Sequence, residues 1–213
     1  MINNKKILAV IPARGGSKEI PRKNIKEING KPLIVWTIEA AKKSKLLDRC
    51  IVSTEDEEIS SIAQKYGAEV LKRPKTLAKD NVITLPVLQH ALKKIDADII
   101  VLLYPTSPVR EEGLIDKCIE RFIKKDADAL ATGFICELYE WGKYNKPRQK
   151  LRGWFHDDGN VYVMRSDLIK KGKMLGKKLE KVIISKEQNF EIDDEFDFWL
   201  NEQILAKKNG HNI

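Results

Sequence analysis

The sequence predicts an α/β protein with a doubly wound, mostly parallel sheet, and two observations carry this prediction. Short apolar runs of strand length alternate with amphipathic helical patterns along most of the chain, as is typical of parallel sheets with helices on both faces. The runs at 7–13 and 98–103 are apolar almost throughout, as expected of strands buried on both faces. Ligands of such sheets bind beyond the carboxyl ends of the strands, where Arg14, Thr54, Arg73 and Pro105 stand.

The elements follow in order from the spacing of the apolar residues. The chain opens with a strand over 7–13, which Pro12 brings to its end. A single apolar stripe predicts the first helix over 32–44. Gly67 ends the second helix, and Pro86 is tolerated in the first turn of the third. The remaining strands are predicted over 49–54, 69–71, 98–103, 129–135, 160–164 and 182–185, and the remaining helices over 57–65, 84–95, 114–124 and 195–207.

The length and the even pattern predict one domain over residues 1–213, because 213 residues can bury a single core and no repeat or linker divides them. The alternation breaks at about 136–155, where aromatic and basic residues gather. Exposed aromatic side chains commonly mark interfaces, so we expect this stretch to be an arm that joins a homodimer. A satellite core under a long loop is the alternative. The aromatic residues of this stretch include Tyr139, Trp141, Tyr144 and Trp154.

Composition limits the classes of protein further. The net charge of +8 favours anionic partners, although 33% charged residues of both signs are also typical of solvated helix faces. Three isolated cysteines, Cys50, Cys118 and Cys136, indicate buried thiols rather than a disulfide framework or a zinc site. We see neither a signal region nor an apolar run of membrane-spanning length, so we expect a cytoplasmic protein without a membrane partner.

The loop after the first strand concentrates positive charge. Arg14, Lys18, Arg22 and Lys23 lie within ten residues, and the two glycines at 15–16 offer backbone angles closed to other residues and close approach to a ligand. A triphosphate suits such a loop. Its spacing fits neither a Walker loop nor a dinucleotide fingerprint, so charge alone leaves a solvated basic loop as the alternative.

A late acidic segment is the second candidate feature. If it forms a strand, Glu191 and Asp193 project from one face and Ile192 from the other. Two carboxylates on one face can hold Mg²⁺, whose shell is commonly completed by water and phosphate. The alternative is an acidic first turn of the last helix, where Asp194 and Glu195 would favour the helix dipole.

Several motifs, taken with these two features, make the chain resemble one family. Ile-Pro-Ala-Arg-Gly-Gly-Ser-Lys stands at 11–18 and Lys-Asn at 23–24, and Leu-Leu-Tyr-Pro-Thr-Ser-Pro-Val-Arg stands at 102–110. Pro-Arg-Gln at 147–149 and Gly-Asn-Val-Tyr at 159–162 complete the pattern. The chain thereby resembles the CMP-sialic acid synthetase (acylneuraminate cytidylyltransferase) family. The resemblance implies a nucleotide-diphospho-sugar transferase-like fold and CMP transfer from CTP to the anomeric hydroxyl of a 2-keto sugar acid, with release of pyrophosphate.

The resemblance also implies roles for individual residues. The catalytic residues would be Arg14, Lys23 and Arg148. The nucleotide would contact Ala13, Arg14, Gly15, Lys23, Asn24, Arg73, Asp80 and Thr84. The sugar acid would contact Tyr104, Thr106, Ser107, Arg148 and Gln149. Mg²⁺ would be held by Asp193 and Glu191, and the arm would reach into the partner's site.

One departure leaves the acceptor open. Tyr104 stands where many sialate enzymes carry a glutamine that helps to define the sugar pocket. Legionaminate, pseudaminate, Kdo or a phosphonate therefore remain alternatives to a sialic acid, although the Arg-Gly-Gly-Ser loop at 14–17 favours the nonulosonate side. A non-catalytic nucleotide binder and a nucleic-acid binder are the alternatives from other classes, and the acidic pair argues against the latter.

Overall fold

A seven-stranded sheet forms the centre of the molecule. The computed structural model describes residues 4–138, 147–150, 152–208 and 210. The strands are β1 (Ile7–Pro12), β2 (Glu27–Ile28), β3 (Lys31–Pro32), β4 (Arg49–Thr54), β5 (Glu69–Lys72), β6 (Ile99–Leu102), β7 (Ala129–Cys136), β8 (Trp154–Arg165) and β9 (Leu179–Ile183). The helices are α1 (Leu33–Lys43), α2 (Glu57–Lys65), α3 (Thr84–Lys94), α4 (Leu114–Lys124), α5 (Ser166–Lys170) and α6 (Glu195–Lys208).

The strand order in the sheet is β5-β4-β1-β6-β8-β7-β9, while β2 and β3 form a separate small hairpin. β8 runs antiparallel to both of its neighbours, and the other pairs of the large sheet are parallel. The predicted mostly parallel α/β sheet is therefore confirmed. Because β1, β4 and β6 are adjacent and parallel, the loops that follow them meet at one edge of the sheet.

Alternate residues of β1 serve the two faces of the sheet, as the doubly wound prediction requires. Ile7, Ala9 and Ile11 pack in a cluster with α1, α2 and α4. Leu8 and Val10 pack on the other face with α3 and α5. A third, smaller cluster packs α6 against the start of the chain through Ile20, Ile28, Leu33, Val109, Ile192, Phe198 and Leu205. The last cluster brings the two ends of the sequence together at the candidate site.

The end of the predicted arm is part of the sheet. β8 begins at Trp154 rather than at residue 160, because its first half pairs with the end of β7, Cys136 opposite Trp154. This pairing passes a bulge next to Gly133, where a Cβ would meet Phe155 and the carbonyl of His156. Tyr139, Trp141 and Tyr144 lie outside the described residues, and the arm remains a prediction.

The cysteines behave largely as expected. All three are free, with Cys118 and Cys136 buried and Cys50 half-buried. Burial raises the pKa of the Cys50 and Cys118 thiols to about 12, so both are inert at neutral pH. Across the described part of the chain, every helix is too short or too polar to cross a membrane.

Candidate active site

A cavity of about 540 Å³ opens at the carboxyl ends of β1, β4 and β6. This is the place where ligands bind to open α/β sheets. The cavity brings together residues from distant parts of the sequence that the sequence had singled out separately. Those that line it are Arg14, Lys23, Asn24, Arg73, Asp80, Thr84, Tyr104, Thr106, Glu191 and Asp193.

The basic loop is fixed by its own backbone contacts. The main-chain N–H of Ala13 donates to the Ser53 carbonyl at 3.0 Å, which continues the β1–β4 pairing. The buried Asn24 donates through Nδ2 to the Arg14 carbonyl at 2.9 Å. The side chain of Asn24 thus fixes the turn that presents Arg14 to the cavity.

The glycines of this loop have a different purpose from the one expected. Neither Gly15 nor Gly16 has a positive φ; the left-handed position is Arg22, with φ 58° and ψ 28°. A Cβ at Gly15 would lie 3.0 Å from Cγ of Asp56, whereas one at Gly16 would meet nothing within 4 Å. The prediction of unusual backbone angles is therefore wrong, and Gly15 is needed because the Asp56 side chain packs against it.

The loop cations face different partners. Arg14 and Lys18 both pair with Asp80, at 2.5 Å and 2.9 Å. Arg22 instead donates to both carboxylate oxygens of Asp56, at 2.6 Å and 2.9 Å. This ion pair holds the pKa of Asp56 down at about 2. Arg22 therefore ties the loop to the start of α2 and does not line the cavity.

Lys23 links the basic loop to the acidic segment. Its Nζ donates to the carbonyl of Ile192 at 2.7 Å and lies 4.0 Å from Oδ1 of Asp193. The side chain of Lys23 is only 15% exposed, so this contact is part of the wall of the cavity. The positive and negative halves of the site thus share one fixed point.

The acidic segment is not a strand, which was one of the two interpretations of its sequence. The segment makes a strand-like hydrogen bond from the Ile192 N–H to the Thr106 carbonyl at 2.8 Å. The chain then turns into α6, where Asp194 accepts a hydrogen bond from the Asp197 N–H at 2.9 Å. The predicted alternation nevertheless holds, because Ile192 is buried in the third cluster while both carboxylates line the cavity. The acidic helix start exists as well, so the two interpretations are compatible.

Glu191 is the more enclosed of the two acids. It accepts a hydrogen bond from the Thr106 hydroxyl at 2.7 Å, and a Cβ at Gly159, where φ is +74°, would lie 2.8 Å from its Oε2. Burial raises the pKa of Glu191, and the nearby Asp193 raises it further. The Asp193 side chain is 82% exposed. Within the described residues, no group of three or more His, Cys, Asp or Glu side chains is arranged to hold a metal.

Arg73 lines the cavity from the loop after β5, and its partner was not among the predicted site residues. The side chain of Arg73 is 4% exposed and pairs with Glu55 at 3.1 Å. Burial lowers the pKa of Arg73, an effect that the charge of Glu55 opposes. The sequence shows Glu55 only as a member of the Ser-Thr-Glu-Asp motif at 53–56, with no indication of its contacts.

Tyr104 separates this cavity from a second one. Its hydroxyl lies 2.6 Å from the Thr84 hydroxyl, and its ring meets that of Tyr162 edge-on at 6.1 Å. The half-buried Arg110 donates to the Tyr104 carbonyl at 2.9 Å and to the Asn160 carbonyl at 2.9 Å. The guanidinium of Arg110 thereby fixes the loop that carries the Pro-Thr-Ser-Pro motif.

The remaining predicted residues do not line the cavity. Ala13 and Gly15 belong to the wall only through the backbone of the loop that they form. Ser107 is buried and its hydroxyl reaches the Asp158 carbonyl at 3.5 Å. Gln149 is exposed in a short 3₁₀ turn, and the side chain of Arg148 lies outside the described part of the structure.

Comparison with known proteins agrees with this fold. Residues 8–201 match the family described as Cytidylyltransferase. The N-acylneuraminate cytidylyltransferase of Escherichia coli O18:K1:H7 (strain RS218 / NMEC) is 32% identical over 98% of this chain and 54% of that protein. The chain thus spans about half the length of that relative. A pseudaminic acid cytidylyltransferase of Campylobacter jejuni subsp. jejuni serotype O:2 is 35% identical over 74% of this chain and 77% of that protein.

A solved structure shares the fold at low identity. CMP:2-keto-3-deoxy-manno-octonic acid synthetase complexed with CTP superposes with a TM-score of 0.78 at 16% identity, covering 95% of this chain and 99% of that one. That identity supports the fold alone. The family match and the relatives above 30% identity go further, and this chain belongs to the cytidylyltransferase family. The resemblance found in the sequence motifs is thereby confirmed.

Proposed function

We propose that this protein transfers CMP from CTP to the anomeric hydroxyl of a nonulosonic, sialic-type acid, producing the CMP-sugar and pyrophosphate. One observation carries the proposal: Arg14, Lys23 and Arg73 line the same cavity as Glu191 and Asp193. Cations that can bind a triphosphate thus lie opposite carboxylates that can bind a metal. The relatives act on related sugar acids by their names, which supports the choice of acceptor class.

The cationic side chains would do most of the catalytic work. In-line attack of the sugar hydroxyl on the α-phosphorus needs no covalent enzyme intermediate, so positioning and charge stabilisation dominate. Arg14 and Lys23 would bind the phosphates, with Asn24, Arg73 and Thr84 at the nucleotide. Asp80 forms ion pairs with Arg14 and Lys18. We propose that the triphosphate displaces Asp80 and binds these two cations.

Glu191 and Asp193 would hold Mg²⁺. The donor set fits this ion, because both groups are hard oxygen ligands at the edge of a cavity large enough for phosphate and water to complete the shell. The ion would supply Lewis-acid stabilisation of charge on the phosphate oxygens. Lys23 holds the main chain between the two carboxylates and so keeps both on the cavity side.

The acceptor would lie beyond Tyr104. A second cavity of about 700 Å³ adjoins this side chain and is lined by Leu102, Tyr162 and Met164 among others. Thr106 and Tyr104 would contact the sugar acid, and Arg148 would bind its carboxylate in the bidentate manner typical of a guanidinium. We propose a cytoplasmic homodimer in which the stretch at 136–155 contributes to the partner's site.

Pyrophosphate release tests the reaction directly. The chain is offered CTP and Mg²⁺ with N-acetylneuraminate, legionaminate, pseudaminate or Kdo, and ATP, GTP and UTP replace CTP as controls. We expect release with CTP alone and with one sugar acid far above the others. No pyrophosphate release with any acceptor, combined with measurable CTP binding, would favour a non-catalytic nucleotide binder.

The metal assignment has its own test. Asp193→Asn should shift the Mg²⁺ titration of the reaction to higher concentration, because one of two charged ligands is lost. Asp194→Asn is the matched control, since Asp194 caps α6 instead of lining the cavity. An unchanged Mg²⁺ response in Asp193→Asn would refute the assignment.

A further inference from the structure

Glu55 joins two elements of the nucleotide cavity although it does not line the cavity itself. It follows β4 directly, and its side chain is 14% exposed. Oε1 accepts a hydrogen bond from the main-chain N–H of Gly15 at 2.8 Å. Oε2 accepts a hydrogen bond from Nε of Arg73 at 3.1 Å and forms an ion pair with Nη2, also at 3.1 Å. One carboxylate therefore binds the loop after β1 with one oxygen and the loop after β5 with the other.

Arg73 depends on this partner. A guanidinium that is 4% exposed is costly to leave unpaired, and the charge of Arg14 nearby disfavours it further. Glu55 takes the Nε–Nη2 edge of Arg73 and so holds the planar group in one orientation. The two cations that line the cavity from different loops are thereby kept together before any ligand arrives.

The adjacent acid has a separate task. Asp56 accepts from Arg22 and from the N–H groups of Glu58 and Ile59 at the start of α2. It therefore stabilises the far end of the basic loop and the helix rather than a group that lines the cavity. Among the residues that the structure describes, Glu55 is the one whose side chain connects the loop to Arg73.

We infer that Glu55 is a positioning residue, which sets Arg73 and the Gly15 segment in the arrangement that binds CTP. This inference rests on the proposed function. Groups that are ordered before binding do not have to be ordered at the moment of binding, which strengthens affinity. The effect belongs to the nucleotide and not to the acceptor, because both groups that Glu55 holds lie in loops that carry predicted nucleotide-binding residues.

Glu55→Gln is the variant that tests this, because an amide of the same size presents a donor where a second acceptor is required. Affinity for CTP is measured with Mg²⁺ present, by calorimetry, together with the KM of both substrates. We expect CTP binding to weaken about tenfold or more, as for the loss of a charge-assisted contact. The KM of the acceptor should stay within about twofold. Glu57→Gln, on an exposed side chain that pairs with Lys72, is the matched control.

Each outcome decides the inference. Unchanged CTP affinity in the folded variant would overturn the inference, and so would an equally large rise in the KM of the acceptor, which would indicate general damage to the cavity. If Glu55→Gln does not fold, Glu55→Asp carries the same test, because it keeps the charge but is too short to reach both partners. A parent chain that binds no CTP would overturn the proposed function as well, and this failure is distinct because the parent itself shows it.

Discussion

At the scale of single residues, four cations that line the described cavity each have a polar partner before a ligand binds. Arg14 and Lys18 share Asp80, Arg73 has Glu55, and Lys23 has a main-chain carbonyl. Such contacts hold the side chains in place without a ligand. An incoming triphosphate competes with Asp80 alone, since the other partners lie in the wall.

Arg14 allows the cleanest test of the phosphate site. Lys23 also fixes the acidic segment, so its removal would change two halves of the cavity at once. We expect Arg14→Ala to lower kcat/KM for CTP by about a hundredfold or more, the size seen when one preorganised donor is removed from a transition-state site. Steady-state kinetics measure this. Arg49→Ala removes an equally charged, exposed residue from the other end of β4 and should leave kcat/KM unchanged; similar losses in both variants would count against a local role.

The two adjacent glycines form a matched pair for stability. Gly15→Ala should lower the free energy of unfolding by about 1–3 kcal/mol, because the new Cβ overlaps the Asp56 carboxylate. Gly16→Ala meets open space and should be neutral or slightly stabilising, since a methyl group restricts the unfolded chain. Urea denaturation of both variants measures the difference. Equal free energies of unfolding in the two variants would show that Asp56 does not require position 15 to lack a Cβ.

At the scale of elements, α2 and the basic loop depend on one carboxylate. Asp56 accepts from the N–H groups of Glu58 and Ile59 at 3.1 Å and 2.9 Å, which caps the helix. The same group binds Arg22, whose left-handed backbone turns the loop toward it. The strand that ends at Thr54 therefore positions both a helix and the loop on the neighbouring strand.

This contact predicts a pH dependence of stability. The pKa of Asp56 is about 2 in the folded chain, below its ordinary value of 3.8. The stabilisation is thus fully present above pH 4 and is lost as the pH falls from about 4 through 2. It amounts to about 1–2 kcal/mol, because Arg22 is 40% exposed and solvent screens part of the pair.

Asp56→Asn isolates the charge, because asparagine still caps a helix. We expect the parent to exceed this variant in free energy of unfolding at pH 7 and the difference to shrink toward pH 2.5. Denaturant titrations across this range measure it. Asp167→Asn, which removes an exposed partner of Lys171, should show a small difference at every pH. A constant gap for Asp56→Asn would contradict the assignment.

At the scale of the whole molecule, apolar side chains remain uncovered at one end of the sheet. Ile135, Leu138 and Trp154 are 40%, 69% and 53% exposed. Ile135 precedes the stretch predicted to join two chains, and Leu138 and Trp154 lie near its two ends. An exposed group of this kind is typical of an interface. It lies where the end of β7 pairs with the start of β8, Cys136 opposite Trp154.

The homodimer is tested through this surface. Trp154→Glu should reduce the mass in solution from that of a dimer to that of a monomer, because a charge buried in an apolar interface is unfavourable. Sedimentation equilibrium measures the mass. Phe196→Glu is the matched control, since Phe196 is 65% exposed on α6, and it should leave the mass unchanged. A monomeric parent chain would refute the proposed assembly.

The sequence by itself determined the class of fold, the family and the two chemically distinct segments of the site. Strand and helix periodicities depend on which side of an element is buried, so they can be read locally; the apolar run before Arg14 and the alternation about Ile192 are examples. The motifs at 11–18 and 102–110 likewise consist of neighbouring residues. These features are present in the structure even where the segment is not a strand, as at 191–193.

Only the tertiary structure decided which side chains serve one another. Glu55 reaches Arg73 eighteen residues away and Gly15 forty residues away, and Lys23 meets the Ile192 carbonyl across 169 residues. Arg22 looks like its neighbours in the sequence, yet a left-handed turn directs it to Asp56. Such pairings depend on strand order and loop direction, because they arise where the ends of β1, β4 and β5 lie side by side. The local spacing of residues in the sequence does not show which strands are neighbours.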